Sequence, residues 1–267
     1  MLHIERKRDS LRLFTLGFVV LAVLVACARH DSNGAVTARD ATTTPPPRTP
    51  SGECDQLPDN DKLRQLLQQA VGSIRIGGMA EGKAEWAAVV DRQGRLCSLV
   101  VGSDDKSAAW PGSRAIAMAK AFTANAFSSD MTPLSTARMY TLGQPGQMLW
   151  GLAATNPFNA DCMGAPDDGA PTGKVCGGIV TFGGGVPLYR NGKKVGGLGL
   201  SGDTACADHE VARELRNVAG LNPATGANAD DIQYTAADGP SIYAHPLCPN
   251  TWRHGRHIGE PAKAKDY

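Results

Sequence analysis

The chain has 267 residues, 42% of them apolar, enough for one large core or two small ones. Its formal net charge is +1, and basic and aromatic residues do not interleave, so no field or stacking surface argues for nucleic acid.

Arg6, Lys7, Arg8 and Arg12 form a basic region ahead of Leu13–Val25, an apolar stretch too short to span a bilayer comfortably. It closes on Leu24-Val25-Ala26-Cys27, which resembles a bacterial lipobox. The resemblance implies a signal peptide over 1–26, cleavage before Cys27 and lipidation of its thiol. Ala28, rather than Asp, follows, and in the Gram-negative sorting pattern this points to the outer membrane. The expectation is a protein of the cell envelope, anchored on the periplasmic face of the outer membrane by its acyl chains. Residues 27–53, with Thr42-Thr43-Thr44-Pro45-Pro46-Pro47, bury too little to order themselves and read as a tether.

Export changes the reading of the other cysteines: Cys54, Cys97, Cys162, Cys176, Cys206 and Cys248. An even number in an oxidising compartment predicts disulfides, while the lack of C-x-x-C removes support for zinc-ribbon and thioredoxin readings. Cys162 with Cys176, bracketing a Gly/Pro/Asp-rich loop, is the favoured pair. Cys206 with Cys248 and Cys54 with Cys97 are further candidates, and the connectivity stays open.

In chain order, Leu63, Leu66, Leu67, Ala70, Val71 and Ile74 recur at helical spacing, and Gly77-Gly78 ends that helix. Strands follow at 84–90 and 96–101, joined through Asp91-Arg92-Gln93-Gly94. A second helix covers 112–127. A short strand is expected over 136–142, a helical turn over 148–153 and a long loop over 156–174. The central unit begins with an apolar run at 178–182. Two more runs, 186–189 and 195–200, flank Asn191-Gly192, a pair suited to a type I′ turn. Gly196, Gly197 and Gly199 interrupt the last strand, as glycine does where another backbone or a ligand comes close. Asp203 or Thr204 caps a helix carrying Val211, Leu215, Val218 and Ala219, which Gly220 stops. A strand, a small-residue turn and an open helix N-terminus together suit an anionic group; a plain hairpin–helix unit explains the same features. After Leu221 the periodicity fades, and 222–267 reads as an extension wrapped over the domain of 54–221. Helices among antiparallel hairpins give an α+β class.

Gly184-Gly185-Val186-Pro187-Leu188-Tyr189, Gly192, Val195 through Gly202, Asp208 and Ala212 resemble the signature of the GlcG/HbpS family, the haem-degrading-like or DUF336 domain. Ala115 through Ala124 is similar to the family's helical "A…KA.TA" segment, and the resemblance covers roughly residues 60–221. It implies a profilin-like α/β/α domain with a central antiparallel sheet of about five strands, assembled into homo-oligomers. It also implies haem, or another small anionic ligand, held by Lys120, Thr123, Gly184, Gly197, Ser201, Gly202, Asp208 and His209. Lys120 would neutralise a propionate or phosphate and Thr123 would hydrogen-bond a ligand edge; alternatively they are a snorkelling lysine and a packed threonine. His209, off the main apolar stripe and partly exposed, is the candidate haem-iron ligand, with Asp208 orienting it. Haem-binding members are expected to supply a histidine from the first helical region, and 61–76 contains none.

His254 and His257 read as a basic solvated tail, and His245 has no assigned role. No G-x-S-x-G or P-loop is present, so no motif argues for an enzyme. A non-catalytic binding protein is the leading reading. An envelope interaction module and an enzyme acting on a small oxo-acid or corrinoid-linked compound are the alternatives.

Overall fold

The computed structural model describes residues 53–164 and 173–260. The signal segment, Cys27 and the tether up to Gly52 lie outside the described residues, as do 165–172 and 261–267.

Helix α1 (Asn60–Ser73) starts where the Asp59 carboxylate accepts the Lys62 N–H at 2.8 Å, and its leucines 63, 66 and 67 are buried. Strands β1 (Trp86–Asp91) and β2 (Leu96–Val101) form the first hairpin, with Cys97 as the extra residue where the register slips. Helix α2 (Ser113–Phe127) follows. The strand expected over 136–142 is instead two 3₁₀ turns, Thr136–Met139 and Thr141–Gly143, and the next turn is α3 (Leu152–Thr155). Strands β3 (Gly185–Arg190) and β4 (Lys193–Ser201) are joined as expected, with Asn191 at φ 51° and Gly192 at φ 73°. Of the two candidate caps for α4 (Ala205–Val218), Thr204 takes the role, its side chain accepting from the Ala207 N–H. The extension adds β5 (Gln233–Tyr234), α5 (Thr235–Asp238), β6 (Ala244–His245), β7 (Thr251–Arg253) and β8 (Arg256–Gly259).

The sheet order is β2-β1-β4-β3, antiparallel throughout. Among the described residues it has four strands rather than five, because the run at 178–182 does not join it. The Val180 N–H is taken by the Thr123 hydroxyl of α2 at 3.0 Å instead of a strand edge. One face, with Val89, Leu198 and Leu200, packs on α1 and α4; the other, with Ala88, Val90 and Leu99, packs on α2. The three-layer α/β/α arrangement is therefore present.

The glycines of β4 explain how closely α2 lies. A Cβ at Gly199 would sit 2.0 Å from the Ala117 carbonyl oxygen, and one at Gly197 2.2 Å from that of Ala121. At these positions the approaching group is the helix backbone, not a ligand. Gly opposite Ala lets backbone meet sheet, and this contact fixes where Lys120 points.

All three candidate disulfides form: Cys54–Cys97, Cys162–Cys176 and Cys206–Cys248. The extension carries more than its disulfide to α4. Asp230 meets Arg216 at 2.6 Å with both side chains fully buried, and Asn250 accepts the Gly78 N–H at 2.9 Å.

Candidate binding cavity

A cavity of about 440 Å³ opens where the starts of α2 and α4 meet the extension. Trp110 and Ile116 stand on the α2 side, Phe182 on the approach to the glycine run, and Leu247 and Pro249 on the extension. Ser201, Asp203, Thr204 and Asp208 supply its polar floor. Large apolar walls with a few convergent polar groups, in this volume range, describe a small-molecule site. Two helix N-termini, at Ser113 and Ala205, bring their positive ends to it.

The floor is preorganised. Lys120, fully buried, donates to Asp208 Oδ2 at 2.6 Å and to the Leu200 carbonyl at 2.9 Å, and its ammonium lies 4.9 Å from the Phe182 ring centre. Asp208 Oδ1 accepts the Asp203 N–H at 2.9 Å. Burial pushes the Asp208 carboxyl up to about 6, with Lys120 pulling against it. Asp203 is fully engaged in holding the 78–82 loop, accepting N–H groups of Met79 and Ala80 at 2.7 Å each. Behind them Glu85 is wholly buried with neither carboxyl oxygen hydrogen-bonded, and burial followed by Asp208 and Asp203 raises its pKa well above the usual range.

Residues 59–216, more than half of the chain, match the family described as "Haem degrading protein HbpS-like". The chain belongs to the HbpS-like family. Solved structures similar to this HbpS-like chain include Klebsiella pneumoniae protein ORFY, a DUF336 protein, at 23% identity over 60% of this chain and 89% of that one, with a TM-score of 0.41. The PduOC:heme complex is 25% identical over 60% and 94%, with a TM-score of 0.42. A double mutant of Streptomyces reticuli HbpS is 21% identical over 72% and 97%, with a TM-score of 0.37. No curated protein matches the chain.

In this HbpS-like chain the sequence-derived residues do not all converge. Ser201 and Asp208 line the cavity, Lys120 lies directly behind Asp208, and Gly184, at φ 118°, leaves the room that Lys120 Nζ fills. Thr123 faces elsewhere, donating to the Ala119 carbonyl at 2.7 Å and holding Val180. Gly197 lies under α2, and Gly202 is pressed against Ala84 and Glu85. His209 is not partly exposed but fully buried, because the extension covers the side of α4 that its spacing left open. Its Nε2 sits 3.4 Å from Asp231, which also meets His254 Nε2 at 2.8 Å, so His254, though still exposed, is tied to the extension. Burial opposes ionisation of Asp231, yet the imidazoles of His209 and His254 beside it, the latter hydrogen-bonded to it, outweigh burial and hold the carboxyl well below its usual value.

Sequence reasoning missed Trp110, Phe182, Leu247, Pro249 and His245. Pairing Cys206 with Cys248 was the available signal, since it carries Leu247 and Pro249 to the start of α4. His245 is buried, its Nδ1 2.7 Å from the Pro246 carbonyl and its Nε2 accepting the Gly183 N–H at 3.3 Å. Burial lowers its pKa to about 4.

Haem is the group that the family description implies. The aromatic and aliphatic walls suit the flat faces of a tetrapyrrole, and the two helix N-termini suit its carboxylates. The iron is not matched: no imidazole, thioether or free thiol is among the residues lining the cavity. His245 is hydrogen-bonded at both ring nitrogens, and His209 is buried beside Asp231 of the extension, outside the lining.

Proposed function

We propose that this protein is a non-catalytic, haem-binding member of its family, exported and anchored in the cell envelope through a lipidated Cys27. The observation that carries the reading is the apolar-walled cavity of about 440 Å³ in an HbpS-like domain, with its buried Lys120–Asp208 floor. The macrocycle is held by its faces between Trp110, Phe182 and the Leu247–Pro249 wall, and its carboxylates lie toward the two helix starts. The lining supplies no axial ligand, so binding does not depend on iron. The signal-like segment ending at Cys27 supports the anchor.

Titration with haem and with metal-free protoporphyrin tests this. Both are expected to bind at micromolar concentration, and Trp110→Ala with Phe182→Ala is expected to weaken both by about tenfold or more. No Soret shift with haem rejects the reading, and haem binding without protoporphyrin binding rejects the iron-independent mode.

A homo-oligomer is the second part of the proposal. Met148 is 80% exposed and Trp150 62% exposed, two large apolar side chains close together on one short segment that a second copy could cover. Mass in solution of the Met148→Ser, Trp150→Ser variant against wild type checks it: unchanged mass of an oligomeric wild type removes this segment from the contact.

A further inference from the structure

The wall that the extension gives to the cavity is held at its ends by hydrogen bonds and in its middle by a covalent bond. At one end Thr141 Oγ1 donates to the Ala244 carbonyl at 2.7 Å, and the Gly183 N–H donates to His245 Nε2 at 3.3 Å. At the other the Gly78 N–H donates to the Asn250 carbonyl at 2.9 Å, and Asn250 Nδ2 donates back to the Gly78 carbonyl at 3.0 Å. Between these ends Leu247, Cys248 and Pro249 line the cavity, and the Cys206–Cys248 disulfide ties them to the first turn of α4. We propose that this disulfide is a redox latch on the cavity: reduction by a dithiol frees the strap of 246–249 and weakens tetrapyrrole binding, and a bound tetrapyrrole shields the bond from reduction. The latch rests on the cavity being the tetrapyrrole site.

Among the described residues, the hydrogen bonds that leave the strap for another element all go to Cys206. The Cys206 N–H points at Cys248 Sγ at 3.2 Å, and Cys206 Sγ lies 3.7 Å from the Pro246 carbonyl oxygen. The Cys248 N–H donates to Thr251 Oγ1 at 2.8 Å, and His245 Nδ1 lies 2.7 Å from the Pro246 carbonyl oxygen. These two contacts shape the segment itself and add no tie to α4. Leu247 packs on the small cluster of Ala137, Ile232, Tyr234 and the two cysteines, which is apolar contact without direction. Two thiol sulfurs cannot stay at bonding distance, so on reduction Cys248 moves off α4 and takes Leu247 and Pro249 with it. The opposite side of the site stays in place, because Val211, Ala212 and Leu215 hold α4 in the core with the leucines of α1. A wall displaced from a flat ligand face forfeits dispersion contacts along that face.

Cys248 lines the cavity and Cys206 does not, so a dithiol entering that space meets Cys248 first. Its thiolate attacks Cys248 Sγ, a mixed disulfide forms as the Cys206–Cys248 bond breaks, and Cys206 leaves as a thiolate. The first turn of α4 favours that charge through the positive end of the helix, and a better leaving thiolate departs faster. The second thiol of the reductant then attacks the reductant's own sulfur in the mixed disulfide and releases Cys248. The reductant ends as a disulfide, and the protein has gained two electrons and two protons. A tetrapyrrole between Phe182 and the Leu247–Pro249 wall fills the space by which the dithiol arrives. Binding and reduction therefore oppose each other, by the same factor in both directions. A tenfold loss of affinity on reduction corresponds to a disulfide potential about 30 mV lower in the saturated protein. Neither Cys54–Cys97 nor Cys162–Cys176 lines the cavity, so these bonds are the internal comparison.

Metal-free protoporphyrin is the probe, because a dithiol also reduces haem iron. Cys206→Ser with Cys248→Ser, retaining a cooperative melt, is expected to bind it about tenfold or more weakly, and Cys162→Ser with Cys176→Ser to stay within about twofold of wild type. A second measurement decides without any variant. Oxidised wild type is held in dithiothreitol buffers with and without protoporphyrin, and each disulfide is followed by alkylation and peptide mass. The ligand is expected to protect Cys206–Cys248 by about tenfold or more and to leave the other two disulfides unchanged. Equal affinity in the folded serine pair overturns the latch and leaves the tetrapyrrole reading standing. So does equal protection of all three disulfides, which is what general stabilisation of the fold gives. Failure of oxidised wild type to bind protoporphyrin rejects the iron-independent reading on which the latch rests, and the latch falls with it.

Discussion

At the residue scale, glycine and lysine carry the contact between β4 and α2. A methyl group at Gly199 would meet Ala117 O at 2.0 Å and Ala121 N at 2.4 Å, both backbone atoms that cannot step aside. Gly199→Ala is therefore expected to destabilise by about 3 kcal/mol, and Gly197→Ala by a similar amount, whether or not a ligand is present. Chemical denaturation checks this, and a wild-type midpoint for either would mean that α2 shifts at little cost. Lys120 answers a different question, since its charge is fully buried against Asp208. Lys120→Met leaves that carboxylate unpaired, with an expected loss of about 3–5 kcal/mol near neutral pH. The double change Lys120→Met, Asp208→Leu should recover a large part of it. Failure to recover any would mean that the pair is not the origin of the loss.

At the scale of elements, the extension is fastened to α4 through Asp231, bracketed by His209 and His254. Its carboxyl titrates below the ordinary value of 3.8 in the folded chain. A depressed carboxylate contributes stability that is fully present above the unfolded pKa and is lost as pH falls through the folded one. Asp231→Asn is expected to cost about 1–3 kcal/mol at pH near neutrality, with the gap to wild type closing as pH falls below about 4. Urea denaturation at several pH values reads this directly. A gap that stays constant, or widens toward acid, would contradict the assigned ionisation.

For the molecule as a whole, the three disulfides close loops of different span: 43, 14 and 42 residues. Chain entropy makes the longer loops worth more, about 4 kcal/mol for Cys54–Cys97 against about 3 kcal/mol for Cys162–Cys176. Removing each pair by alanine substitution should follow that order, and the reverse order would show that native contacts rather than unfolded-chain entropy decide their worth.

Local pattern alone determined much of this protein. Asn191-Gly192 set a tight turn because both residues tolerate positive φ, and the leucines of α1 declared a buried face through their spacing. The signature around Gly184–Gly202 carried the family, and with it the layered fold. What sequence left open were relations between distant residues. The run at 178–182 has strand-like composition, yet a threonine hydroxyl from α2 takes its N–H, so the sheet stops at four strands. Gly197 and Gly199 signalled a close neighbour, but only packing decided between a helix and a ligand. His209 read as half exposed because its own helix leaves that side open, and the extension, more than twenty residues on, closes it with Asp231. The cavity itself joins Trp110, Phe182, Asp208 and Leu247, four positions that no periodicity links. Spacing reports the environment that one element makes for itself, whereas burial and charge pairing at a site depend on which other elements the folded chain lays against it.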